Sequence, residues 1–203
     1  MRRPAEALPR FTRIETWVHR STAAIVAVLF ATGAILYVEQ LSLLVGRRLL
    51  VEGTHIVAGL LLPLPALLGL WRSRELRADV HALGRMTPVD WEWLRRRDRR
   101  DAGLAVGKFN GGQKLASATV VGAGIVLFGT GLLLLAPARI NLAVSVREGA
   151  TITHDLFTFG LLFLLAGHIW IALRHPEARR ALRTGVVDPA YAAREHAAWA
   201  AEQ

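Results

Sequence analysis

Four stretches of this chain, residues 21–38, 54–71, 115–138 and 156–173, carry no Asp, Glu, Lys or Arg. They are 18 to 24 residues long. At about 1.5 Å of rise per residue, such a helix comes close to crossing the ~30 Å hydrocarbon core of a bilayer. A water-soluble chain would interleave charges with apolar residues at core spacing instead of segregating them in blocks. The expected fold class is therefore an all-α membrane protein, a four-transmembrane-helix bundle. Its spans fall at about 18–38, 54–71, 115–136 and 152–173, within one integral membrane domain over residues 1–203. The first block does not read as a signal peptide: about 20 charged and polar residues precede it, and no small-x-small cleavage pattern closes it.

Charge sets the orientation. Residues 1–20, 72–114 and 174–203 hold 21 of the 25 Lys and Arg, whereas the opposite loops, 39–53 and 139–153, hold Arg47, Arg48, Arg139 and Arg147. By the positive-inside rule, the termini, the middle loop 72–114 and the tail 174–203 are cytoplasmic. A net charge of +9 could also suit nucleic acid, but these arginines flank membrane spans and need no such partner. The partner they imply is membrane lipid. With no cysteine, the chain holds no disulfide, iron–sulfur cluster or covalently attached c-type haem.

Ionisable groups inside a membrane are costly and by default functional. His154 and His168 bracket the last span 14 residues apart. On a helix, that spacing returns to within about 40° of the same face and rises about 21 Å. His19 opens the first span and His55 the second. Threading four antiparallel spans sets His55 level with His154 near the outer face, and His19 level with His168 deeper toward the cytoplasm. Two histidines at each of two levels is the arrangement that clamps two haem irons axially, each six-coordinate and suited to electron transfer. Gly33 and Gly69 lie 14 residues beyond His19 and His55, where a helix that supplies no ligand would leave room for a porphyrin. The alternative is that each histidine bonds a neighbouring carbonyl or serine. His81 and His196 read as solvated, and His175 as interfacial.

The loop before the third span reads G-K-F-N-G-G-Q-K, residues 107–114. Asn110 and Gln113 offer amide groups, and Gly111 and Gly112 would let a ligand approach the backbone. Beside a haem level this suits a quinone head group, although a plain turn before a helix fits the residues as well. Earlier in the same loop, Thr87, Pro88 and Asp90 form a capping-box-like helix start. Trp91 and Trp93 beside arginines suit a short helix at the headgroup boundary. Arg13, Arg20 and Lys114 are ordinary span-end cations that could pair with propionates or a quinone. No internal repeat is apparent, and the Ala-rich tail from Ala190 reads as a loosely attached helix.

W-x-x-H-R around His19, T-H-I-V-A-G around His55, G-K-F-N-G-G-Q-K and the His154/His168 pair together resemble the gamma subunit, the membrane cytochrome b, of respiratory formate dehydrogenases. The likeness runs from about Phe11 to the tail. It implies two b haems, the outer on His55 and His154 and the inner on His19 and His168. It also implies a quinone site (menaquinone or ubiquinone) at Asn110, Gly112 and Gln113 beside His168. The partners it implies are an iron–sulfur beta subunit and a catalytic alpha subunit, in the bacterial inner membrane. The implied activity is electron transfer across the membrane from formate oxidation outside to quinone inside, with no formate chemistry in this chain. Phe109 stands where that family often has Tyr, and Gly111 where Ala is frequent. Two other readings stay open: a di-haem cytochrome b of a hydrogenase or another quinone-linked reductase, and a haem-free anchor or proton-coupled transporter.

Overall fold

The computed structural model describes residues 7–98, 103–135 and 143–203. Four of its helical stretches are long and apolar enough to cross a membrane: α1 (Arg13–Tyr37), the pair α3 (Arg48–Leu61) and α4 (Leu64–Arg72), α7 (Gly111–Leu135) and α8 (Val144–Arg174). The expected all-α, four-span class is the observed one. Large apolar side chains on these helices face outward, with Phe163 85% exposed and Ile125 68%. Such a surface is stable in lipid and not in water. The helices run further than the charge-free blocks. α8 begins at Val144, about two turns before residue 152, and so takes in Arg147 and Glu148. Arg139, residues 1–6 and 99–102, and residue 136 at the expected end of the third span lie outside the described residues.

The second span is broken where the sequence reads L-L-P-L-P. Pro63 has no N–H to donate and its ring crowds the preceding turn, so α3 closes with a tighter bond from Leu62 N to the Gly59 carbonyl (3.2 Å). Between the first two spans lies a short helix, α2 (Glu39–Val45). It stops at Gly46, whose φ of 63° is left-handed and closes the helix with a bond to the Ser42 carbonyl.

The chain divides into two compact units. One comprises Trp17–Trp71 and Gly122–Leu165, and so holds parts of all four spans. Within it, α1 packs on α8 through an edge-on pair of rings, Tyr37 and Phe159, at 5.3 Å. α1 meets α3 where Leu29 lies over Gly59, which has no side chain to hold the helices apart.

The other unit draws on the described parts of Met1–Thr16, Arg72–Val121 and Ala166–Gln203. It contains α5 (Arg74–Leu83), α6 (Pro88–Arg95), α9 (Pro176–Thr184), α10 (Pro189–Glu195) and α11 (Ala197–Ala201). A two-stranded antiparallel sheet pairs β1 (Leu8–Pro9) with β2 (Val186–Val187). Gly185, at φ 80°, turns α9 into β2, and its carbonyl accepts from Arg10 N and Phe11 N. A Cβ there would stand 2.6 Å from the Phe11 oxygen, so glycine is required for closeness as well as for φ.

The tail is a correction to the sequence expectation. It is docked, not loose: Ala181, Val187, Ala192 and Trp199 form a buried core, with Leu8, Phe11 and Tyr191 packed against it. Its alanines lack bulk, and that lets the short helices close around Trp199. Ala198 N and Trp199 N both donate to the Val106 carbonyl, which ties the tail to the loop before α7. His196, expected in solvent, is 2% exposed. Its Nδ1 lies 2.9 Å from the Gly107 carbonyl, which can only accept, so Nδ1 carries the proton. Burial pushes this imidazole down to about 4, the Arg10 charge adds to the effect, and the bond to Gly107 works against it. His81 is exposed, as expected, and His175 is half-buried where α8 gives way to α9.

Candidate functional site

Inside the four-helix unit, α3 and α8 bring His55 and His154 close together, with ring centroids 6.4 Å apart and planes at 67°, an edge-on arrangement. Two metal–imidazole bonds of about 2 Å each, plus half a ring on either side, span about 6 Å. That is the separation two imidazoles would have if they shared one metal.

Each ring is anchored by a threonine on a helix that offers no histidine at that level. Thr32 Oγ1 on α1 donates to the Val28 carbonyl (2.7 Å), with the Leu29 carbonyl at 3.2 Å, and lies 2.9 Å from His55 Nδ1. A hydroxyl has one proton. With that proton directed at its own helix, Oγ1 accepts from Nδ1–H, and the Nε2 lone pair is left for a metal. On α7, Thr130 repeats the arrangement: Val126 at 2.8 Å, Leu127 at 3.1 Å and His154 Nδ1 at 2.9 Å. Gly33 and Gly131 follow the two threonines, and an added Cβ would stand 3.5 Å and 3.7 Å from the Cε1 edges of His55 and His154. The sequence reading named Gly33 and missed Thr32, Thr130 and Gly131. The signal was present in F-A-T-G at 30–33 and F-G-T-G at 128–131, each followed by T-H some two dozen residues later. This local likeness between the halves qualifies the reading that no internal repeat exists.

His19 lies on α1 within the four-helix unit, and His168 lies near the end of α8 in the other unit. Both side chains are exposed on the protein surface. His168 follows His154 on one uninterrupted helix. Gly69 is buried on α4.

The G-K-F-N-G-G-Q-K segment starts α7. Asn110 Oδ1 accepts from Gln113 N (2.9 Å) and Gln113 Oε1 accepts from Asn110 N (3.0 Å), a reciprocal cap that satisfies two main-chain donors. What the two amides offer beyond the cap is their NH2 groups. Gly111 and Gly112 make room for α6. A Cβ on Gly111 would collide with the Asp90 carbonyl, and one on Gly112 would stand 2.8 Å from the Trp93 ring.

The two lysines of the motif each hold the acidic residue of another helix's cap. Thr87 and Asp90 form the expected capping box at α6, and Lys114 Nζ reaches Asp90 Oδ2 at 2.6 Å and the Arg85 carbonyl at 2.9 Å. Burial alone would raise the Asp90 carboxyl, but the hydrogen bonds from Lys114 and Thr87 outweigh it and hold the group below its ordinary value. Lys114 is thus committed to α6. Thr12 and Glu15 cap α1 in the same reciprocal way. Lys108 Nζ lies 3.5 Å from Glu15 Oε1 and 2.6 Å from Asp79 Oδ2 on α5. Burial, with the Glu15 carboxyl alongside, pushes Asp79 up to about 7, against the pull of Lys108. Sequence reading missed Glu15, Asp79 and Lys108, because their pairing joins segments far apart in the chain.

An all-α chain with four membrane-crossing helices and two facing imidazoles within its four-helix unit has the architecture of a membrane cytochrome b. Residues 10–184 match the family described as prokaryotic cytochrome b561, and the chain belongs to that family. It is a multi-pass bacterial membrane protein of the electron-transferring cytochrome b type. No curated protein matches it.

Proposed function

We propose that the chain is the di-haem cytochrome b subunit of a respiratory formate dehydrogenase, linking an iron–sulfur beta subunit and a catalytic alpha subunit to quinone. The observation that carries the haem part is the close pair His55/His154, with Nδ1 of each ring 2.9 Å from a threonine hydroxyl. The donor chemistry fits: the neutral imidazoles of His55 and His154 would hold a haem iron between them. In this reading His19 and His168 hold the second haem. Haem bound this way supplies one-electron chemistry without an open position for oxygen.

The chain's own work is to orient the imidazoles, to keep the space between them dry within four apolar helices, and to present donors to a quinone. Asn110 and Gln113 supply those donors through their NH2 groups, near the start of α7, with His168 as the neighbouring ligand. The formate assignment rests on the motif likeness around His19, His55, His154, His168 and the 107–114 loop. A hydrogenase or another quinone-linked dehydrogenase would use the same ligand set.

Pyridine haemochrome quantification of the purified chain is expected to return two b haems, and His55→Ala to lose one of them or turn it high-spin. A stoichiometry near one in the unaltered protein, or a His55→Ala variant with both low-spin signals intact, would sink the paired assignment. Copurification with a formate-oxidising partner, against a hydrogen-oxidising one, decides the donor.

A further inference from the structure

Several threonines in the spans return their hydroxyl to the carbonyl four residues back, among them Thr119, Thr151 and Thr158. That bond is ordinary on a membrane helix. Thr32 and Thr130 differ in two respects. They are the buried threonines among the described residues, at 8% and 9% exposure, and each hydroxyl has an imidazole as a second partner.

We propose that Thr32 and Thr130 are matched positioning residues that tune the outer haem: by accepting from Nδ1–H they fix ring rotation and make each axial imidazole a stronger donor. The proposal rests on the haem reading given above. An acceptor on the far nitrogen shifts electron density toward Nε2, which favours the ferric over the ferrous iron. Because both ligands carry the same acceptor, the two effects act in one direction. The same bonds hold the ring planes 67° apart, and a wide angle between axial imidazole planes gives a strongly anisotropic low-spin EPR signal with a large maximal g value. The helices that supply no ligand at this level, α1 and α7, thereby control the cofactor held by α3 and α8.

The test uses the haem-loaded protein in detergent, with His55→Ala identifying which signal belongs to the outer haem. Thr32→Val and Thr130→Val keep shape and remove the acceptor, whereas Thr32→Ser keeps the hydroxyl and loses the methyl. Each valine variant is expected to favour the ferrous state about tenfold more at a given potential, an upward shift of about 59 mV for a one-electron couple. The maximal g value moves as the rings relax, and the inner haem is unchanged. Thr32→Ser should match the unaltered protein. Loss of the outer haem from the valine variants, with serine behaving as wild type, supports the same role. Unchanged potential and g value in both valine variants would overturn it. So would a serine variant that shifts, or loses haem, as much as valine does, since packing and not the hydroxyl would then be responsible. If the unaltered protein shows no bis-imidazole signal, or His55→Ala keeps it, the haem reading itself fails, and that outcome is visible before any threonine is changed.

Discussion

The side-chain oxygen of Gln113 is committed to the Asn110 main chain, and that of Asn110 to Gln113, so a leucine at 113 removes a cap and a donor together. Glutamate separates the two roles: its carboxylate keeps the capping bond, worth about 1 kcal/mol, but it has no NH2 to offer a quinone. If the amide donor serves quinone reduction, Gln113→Glu and Gln113→Leu should both slow reoxidation of chemically reduced haem by a quinone analogue about tenfold or more, with both haems retained. A Gln113→Glu variant that reoxidises at the wild-type rate would leave Gln113 as a cap alone. Gly112→Val is a poor probe here, because the new side chain meets Trp93 before it meets any ligand. Single residues were legible in the sequence where the membrane made them conspicuous. A histidine in a charge-free span stands out, while a threonine in the same span does not, and its role depends on which helix lies beside it.

At the scale of elements, the spans and the α6 capping box were legible because each is written within one local stretch. The docking of the tail was not, because half of its buried core is alanine and its partners, Val106 and Gly107, lie some ninety residues earlier. The buried His196 gives that docking a pH dependence. Its folded value is depressed to about 4, below the ordinary unfolded value of about 6.5. The unfolded tail therefore binds more protons, and docking weakens as pH falls from about 6.5 toward 4, by roughly 3 kcal/mol over the whole window. Amide protection factors over residues 186–201, which allow for the fall of intrinsic exchange with pH, should drop steeply as pH falls through that window, and His196→Gln should flatten the dependence. Protection that stays constant from pH 7 to pH 4 in the unaltered protein would contradict a neutral, buried His196.

For the molecule as a whole, the distribution of Lys and Arg in the sequence predicts a cytoplasmic location for the tail and for the 72–114 loop. A reporter fused after Gln203 should be active as a cytoplasmic marker and silent as a periplasmic one; the reverse pattern would invert the direction proposed for electron flow. The two-stranded sheet carries a further consequence, for how the protein is made. Leu8 and Pro9 emerge from the ribosome first, but their partners Val187 and Val186 emerge only after α8 has been synthesised. At about 5–20 residues per second, the first strand waits on the order of ten seconds or more for its mate. Until then Leu8 and Phe11 have no core to pack against. A chain that stalls before Val186 therefore keeps Leu8 and Phe11 as an apolar handle open to chaperones and proteases, and the handle is hidden only once the segment through Trp199 has been made.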